Sequence, residues 1–351
     1  MSKIAILGGG SWGTGLAIVL SRSRKAHQIS LWMRDAALVE AAASSRVNDV
    51  YLPGCEIPTG ITVTSELAAA LQHAEIVIGA MPAAHAREIY STALPLIESA
   101  GCVLVSATKG LEPSTHLRMS EVIEQVAAEQ HRNAPPLAIL SGPSFALETA
   151  RGEPTAVVVA ARCSGTTTAK GADEYGVSRT AAHIQSEFVG PSFRLYTNDD
   201  VVGVELAGAM KNVIAIAAGA CQGLGLGTNA LTALITRGLA EMSRLALALG
   251  ARAETLSGLA GLGDLVLTCT GALSRNRRVG IELGQGRALA EILASTRMVA
   301  EGVGTAAALL TLAREYAIEL PITEQVNAIL HHGKPPREAI ATIMERPQKH
   351  E

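Results

Sequence analysis

The chain has 351 residues, of which 48% are hydrophobic, 17% charged and 3% aromatic, and its formal net charge is −3. That composition supports a large packed core and excludes a disordered chain, and the weak negative charge speaks against a nucleic-acid binder, which carries a basic face. The length suits two domains, and five cysteines without a CxxC pair read as reduced thiols of a cytoplasmic protein.

No apolar stretch of signal length precedes the first glycine cluster. Residues 4–7 form a short apolar run closed by glycines, as a buried parallel strand does. Residues 13–22 read as a helix. Further strands are expected at 29–33, 75–80, 103–107 and 137–140, with helical patterns at 83–98 and 115–130 between them. This alternation predicts an α/β fold, a Rossmann-like doubly wound parallel sheet covered by helices, over residues 1–193. From about Phe193 the texture changes. Residues 202–220, 230–249, 275–284, 304–316 and 322–330 all read as helices and no strand is expected, so residues 194–345 form an all-helical domain. Residues 213–235 carry no charge and are long enough to span a bilayer. Gly219, Gly223, Gly225 and Gly227 interrupt them, so they read as the end of one buried helix, a glycine loop and the start of the next. Residues 163–180, rich in Gly, Thr, Ser and Ala, read as a solvent-exposed insertion. From about Arg346 the chain turns polar and is expected to fray.

Gly8-Gly9-Gly10-Ser11-Trp12-Gly13 fits G-x-G-x-x-G in the context that motif requires, after a strand and before a helix. The first glycine makes the turn, the second lets the backbone approach a pyrophosphate, and the third lets helix and strand pack closely. A merely tight turn is the bland alternative. Arg34, first after the second strand, suits the 2′-phosphate of NADP(H), while Asp35 keeps NAD(H) open; two solvated surface charges would look the same.

Four charged features stand out. Lys109 follows the carboxyl end of a strand, where ligands of doubly wound sheets bind. Lys211 falls on the apolar face of its helix with Val204, Ala207 and Ile214. A buried ammonium is costly unless paired and has a lowered pKa, which suits an acid–base group. Asp264 is the lone charge between Thr255 and Ser274; it needs a partner, for which Lys211 is the candidate, or else it caps a helix. Ser274-Arg275-Asn276-Arg277-Arg278 opens a helix whose N-terminus, with a forked Arg275, suits a phosphate. Ordinary surface lysines and arginines are the alternatives throughout.

In this order the pieces resemble the bacterial-type NAD(P)-dependent glycerol-3-phosphate dehydrogenase family: GGGSWGT from Gly8, ATKGL from Ala107, SGPSFA from Ser141, KNVIA from Lys211, LITRGLAE from Leu234, GLGDLVLT from Gly261, SRNRRVG from Ser274, and Glu301-Gly302. The resemblance implies reduction of dihydroxyacetone phosphate with NADP(H) or NAD(H), feeding phospholipid synthesis, in a cytoplasmic homodimer without membrane insertion. It implies cofactor contacts at Gly8, Gly10, Ser11, Trp12, Gly13, Arg34, Lys109 and Ala146, completed by Arg275, Val299 and Glu301. The substrate set would be Lys109, Gly142, Ser144, Lys211, Asp264, Ser274, Arg275 and Asn276. Lys211 would be the proton donor and acceptor, with Lys109 and Asp264 assisting. No metal is implied. The stretch 163–180 is longer than the family's usual connection.

Overall fold

In the computed structural model, residues 1–99, 101–162, 178–296 and 298–347 are described. The chain forms two compact units: Met1–Glu112 with Leu117–Glu205, and Pro113–His116 with Leu206–Glu351.

The first unit is built on ten strands: β1 (Ser2–Leu7), β2 (His27–Trp32), β3 (Val47–Asn48), β4 (Leu52–Glu56), β5 (Ile61–Thr64), β6 (Ile76–Gly79), β7 (Val103–Ser106), β8 (Leu137–Ser141), β9 (Thr155–Ala160) and β10 (Phe193–Asn198). Eight of them make one sheet in the order β10-β9-β8-β7-β6-β1-β2-β5, and β3 and β4 form a separate antiparallel pair. Continuous apolar runs such as Ile4–Leu7 and Ile76–Ile78 are buried on both faces, as central parallel strands require. The chain leaves β1 toward β2 and β5, then returns to β6 on the other side. The carboxyl ends of β1 and β6 therefore flank the point where strand order reverses, the place where doubly wound sheets bind ligands.

Two expectations need correcting. The sheet is not wholly parallel, because β8 and β9 run antiparallel. The segment joining them holds only the six-residue helix Ala146–Arg151, too short to carry the chain back across the sheet. A strand also occurs beyond Phe193: β10 pairs in parallel with β9. It buries Phe193 and Leu195 while Arg194 and Tyr196 meet solvent, so it lacks the apolar run of the inner strands. Of the stretch 163–180, residues 163–177 lie outside the described residues, and Arg179–Phe188 is a helix. The end of the polar tail, residues 348–351, also lies outside them.

The second unit is helical, with no strand among its described residues. Helix Val201–Gly223 is long and apolar enough to cross a membrane, but 94% of its most apolar window is buried inside the fold. It ends at a glycine loop before Thr228–Ala248. Four glycines bring it into backbone contact with Arg275–Gly284. A methyl group on Gly219 would lie 2.0 Å from the Arg277 carbonyl oxygen, and one on Gly280 would lie 2.0 Å from that of Ile216; Gly223 and Gly284 repeat the contact one turn on. The first residues of that long helix, 201–205, belong to the first unit. Within that unit the buried Glu205 carboxylate accepts hydrogen bonds from Ser120 N (2.7 Å), Ser120 Oγ (2.6 Å) and Arg118 Nη1 (2.9 Å). Burial raises its pKa above the ordinary carboxylate value, while Arg118 and Ser120 work against that rise.

Candidate active site

In the first unit the glycine turn leaves β1 at Gly8, whose φ of +119° lies in the region glycine alone tolerates well. The turn is locked by close approaches. A Cβ on Gly9 would strike the Met33 side chain at 2.2 Å, and one on Gly13 would lie 1.8 Å from the Gly8 carbonyl oxygen. At Gly10 an added Cβ would meet nothing within 4 Å, so the turn is open where a pyrophosphate would lie. Helix Ser11–Leu20 begins there with no side chain capping it, which leaves its N-terminal dipole available to an anion. Trp12 Nε1 is buried without a hydrogen-bond partner among the described residues. Ala146 packs its carbonyl 3.0 Å from the Cβ position of Gly15, which sets it against the same helix.

Beyond β2, Arg34 and Asp35 divide their tasks. Asp35 Oδ1 accepts from Ala37 N (3.0 Å) and Leu38 N (3.3 Å), capping helix Ala36–Ser45. Arg34 is exposed. Beyond β7 and β8, Lys109 Nζ donates to the Gly142 carbonyl at 2.9 Å, and Ser144 Oγ donates to the same carbonyl at 2.9 Å. Gly142 has φ +133°, and a Cβ there would lie 3.0 Å from Val157 Cα. The fold thus gathers Lys109, Gly142 and Ser144, remote in sequence, at one sheet edge.

In the second unit Lys211 and Asp264 are both buried, and Nζ lies 2.6 Å from Oδ1. Asp264 is therefore a partner of the lysine, and the N-cap of the helix it opens is Gly263. It sits where a π-helical turn, Leu259–Gly263, passes into helix Asp264–Thr270, the kind of irregularity that re-aims side chains at functional sites. Lys211 Nζ also lies 2.9 Å from Thr268 Oγ1. Thr268 Oγ1 in turn lies 2.6 Å from the Asp264 carbonyl oxygen and 3.3 Å from Oδ1.

Ser274 caps helix Arg275–Gly284, its Oγ accepting from Arg277 N at 3.2 Å. Asn276 Nδ2 donates to Asn212 Oδ1 at 3.0 Å, and its Oδ1 accepts from Gly302 N at 3.0 Å. Asn276 thus ties three helices together. Arg275 Nη1 reaches the Val299 carbonyl at 3.5 Å. Burial lowers the guanidinium's pKa from its ordinary value, and the Glu301 carboxylate opposes that, so Arg275, Val299 and Glu301 form one group. Thr268 and Asn212 belong to this network but were not singled out from the sequence. Both lie inside the matched motifs, and neither a threonine nor an asparagine there signals burial by itself. Among the described residues no cluster of His, Cys, Asp or Glu could hold a metal.

Residues 3–167 match the family model described as the NAD-dependent glycerol-3-phosphate dehydrogenase N-terminus, and residues 200–341 match its C-terminus. The chain is 54% identical to a glycerol-3-phosphate dehydrogenase [NAD(P)+] of Koribacter versatilis over 99% of this chain and 98% of that one. It is 47% identical to one of Geobacter sulfurreducens over 99% and 98%. Its fold matches the crystal structure of glycerol-3-phosphate dehydrogenase from Coxiella burnetii with a TM-score of 0.88 at 40% identity, covering 98% of this chain and 99% of that one. On these matches, and with the motifs folded as described, the chain belongs to the NAD(P)-dependent glycerol-3-phosphate dehydrogenase family.

Proposed function

We propose that the protein catalyses the reversible, NAD(P)H-dependent reduction of dihydroxyacetone phosphate to sn-glycerol 3-phosphate. The observation that carries this reading is the buried Lys211–Asp264 pair with Thr268 at 2.9 Å from the ammonium, on motifs shared with relatives bearing that name.

The first unit would hold the dinucleotide. The open side of Gly10 and the N-terminus of helix Ser11–Leu20 fit a pyrophosphate; Trp12 lies in the helix's first turn, and Ala146 packs against the helix at Gly15. With Asp35 engaged as a cap and Arg34 exposed, the end of β2 favours the 2′-phosphate of NADP(H), with NAD(H) the weaker cofactor. Arg275, Val299 and Glu301 are the cofactor contacts proposed from the second unit. When bound, the reduced nicotinamide supplies the hydride that becomes bonded to C2 of the substrate.

Lys211 delivers a proton from its ammonium to the oxygen developing on C2 and regains it from water. Asp264 holds that ammonium in place, and Thr268 fixes its direction. Lys109, Gly142 and Ser144 orient the hydroxyketone. The N-terminus of helix Arg275–Gly284, with Ser274, Arg275 and the remaining amide hydrogen of Asn276, grips the phosphate. Its binding energy then positions the carbonyl. The product would supply phospholipid synthesis, and the protein would act in the cytoplasm as a homodimer.

The test is turnover of dihydroxyacetone phosphate against unphosphorylated dihydroxyacetone. Preference for the phosphorylated ketone is expected, together with a Lys211→Ala variant that binds NADPH yet loses turnover. Equal turnover of both ketones, or a fully active Lys211→Ala, would overturn the reading.

A further inference from the structure

Between helix Ala36–Ser45 and β5 the chain leaves the main sheet as the short β3–β4 hairpin. Arg46 moors it. This residue adopts φ +56°, and its guanidinium donates to the carbonyls of Ile57 (3.0 Å), Ile61 (3.0 Å) and Pro58. Asn48, the hairpin's one fully buried polar side chain among the described residues, is 3% exposed. Its Nδ2 donates to the Gly9 carbonyl at 2.8 Å and to Thr14 Oγ1 at 2.9 Å, and its Oδ1 accepts from Tyr51 N at 3.3 Å. The Tyr51 N–H is a donor only and the Gly9 carbonyl an acceptor only, so the orientation of the amide is fixed by its neighbours.

Carbonyl and N–H point to opposite sides of a trans peptide. Asn48 draws the Gly9 carbonyl toward the hairpin, so the N–H of Gly10 points away from it. Three successive glycines do not choose that orientation by themselves, since glycine accepts either sign of φ. A flipped Gly9–Gly10 peptide would aim a carbonyl oxygen, partly negative, where an N–H is needed. We propose that Asn48 is a positioning residue for the dinucleotide: it locks the Gly9–Gly10 peptide with its N–H toward the pyrophosphate. This rests on the reading that the glycine turn takes the cofactor.

The experiment measures Asn48→Ala and the near-isosteric Asn48→Asp by NADPH fluorescence titration, steady-state kinetics and inhibition by 2′-AMP, which carries the 2′-phosphate but no pyrophosphate. The loss of a buried hydrogen bond should raise the NADPH Kd and KM about 10- to 100-fold. The KM for dihydroxyacetone phosphate, kcat at saturating NADPH and inhibition by 2′-AMP should stay within about twofold, because none of them depends on the turn peptide. Asn48→Asp keeps the acceptor for Tyr51 but sets an oxygen against the Gly9 carbonyl, so its loss should be at least as large; it decides the matter if Asn48→Ala does not fold. The proposal is overturned if either folded variant binds NADPH like the wild type, or if NADPH and 2′-AMP weaken together. Gly10→Val tests the underlying reading separately. Gly10 has φ −73° and ψ −174°, which any residue adopts, and open space at its Cβ. That variant should fold and exclude NADPH. If it binds NADPH normally, the turn is not the cofactor site; if it fails to bind while Asn48→Ala binds normally, only the role of Asn48 falls.

Discussion

Lys211 and Asp264, 53 positions apart in sequence, meet at 2.6 Å with both side chains withdrawn from solvent. Removing one partner of such a buried ion pair costs about 3–5 kcal/mol, whereas removing both costs less. Lys211→Ala should therefore unfold earlier in urea than the double variant Lys211→Ala/Asp264→Ala. Both should lose about 10²- to 10⁴-fold in kcat, the usual worth of a positioned acid–base group. A double variant as unstable as the single one would mean that the two charges are not coupled.

Glycine-to-alanine changes should have opposite signs at two helical positions. At Gly280 the added methyl would lie 2.0 Å from the Ile216 carbonyl oxygen, and backbone cannot give way as a side chain can. Gly280→Ala should cost about 1–3 kcal/mol or more. Gly304, inside helix Glu301–Glu315, has nothing within 4 Å of its Cβ position. Gly304→Ala should gain up to about 1 kcal/mol from helix propensity. Urea unfolding of the two variants beside the wild type checks both.

The Glu241 carboxylate accepts from Ile322 N (2.6 Å), Thr323 N (3.2 Å) and Thr323 Oγ1 (3.2 Å) at the start of helix Pro321–His332. Burial outweighs these hydrogen bonds and Arg244, and its pKa is pushed up to about 7 from 4.5. A carboxyl raised in this way binds its proton more tightly when folded. Its contribution is thus fully present below about pH 4.5 and is lost as pH rises through about 7, by on the order of 3 kcal/mol. Thermal unfolding at pH 5 and pH 8 should show that loss in the wild type and a smaller one in Glu241→Gln; identical pH slopes would contradict it.

Arg34→Ala should raise the KM for NADPH about tenfold or more and leave that for NADH within about twofold, since it removes the charge proposed to meet the phosphate that only NADPH carries. Asp35→Ala should instead cost about 1 kcal/mol of stability through the lost helix cap and leave the cofactor ratio alone. The kcat/KM ratio for the two cofactors, measured in each variant, separates these outcomes.

The parts of the site legible in the sequence were those where physical chemistry makes a residue conspicuous. Lys211 and Asp264 drew attention because ions in apolar surroundings need a reason, and Gly8, Gly10 and Gly13 because their spacing serves one geometry. Helix Arg275–Gly284 has the boundaries its serine cap and terminal glycine indicate. Thr268, Asn212 and Asn48 went unnoticed, because small neutral polar side chains are equally at home in turns and at the surface, and tertiary contacts alone reveal their burial. Strands β3, β4, β5, β9 and β10 were also missed. At the sheet's edges β5 and β10 alternate between core and solvent and carry no apolar run, and β3 and β4 are a short pair outside the main sheet. Strand β9 was overlooked although its buried run, residues 157–160, has the apolar pattern of an inner strand.

The cysteines Cys55, Cys102, Cys221 and Cys269 are buried and unbridged. Cys269 follows Thr268 directly, and burial, with Lys211 pulling the other way, pushes its thiol up to about 12. A thiol so protonated is inert toward alkylation at neutral pH. Iodoacetamide can reach it only when helix Asp264–Thr270 breathes, so the rate of its modification is a native clock for local opening beside the Lys211 ammonium, with no probe introduced.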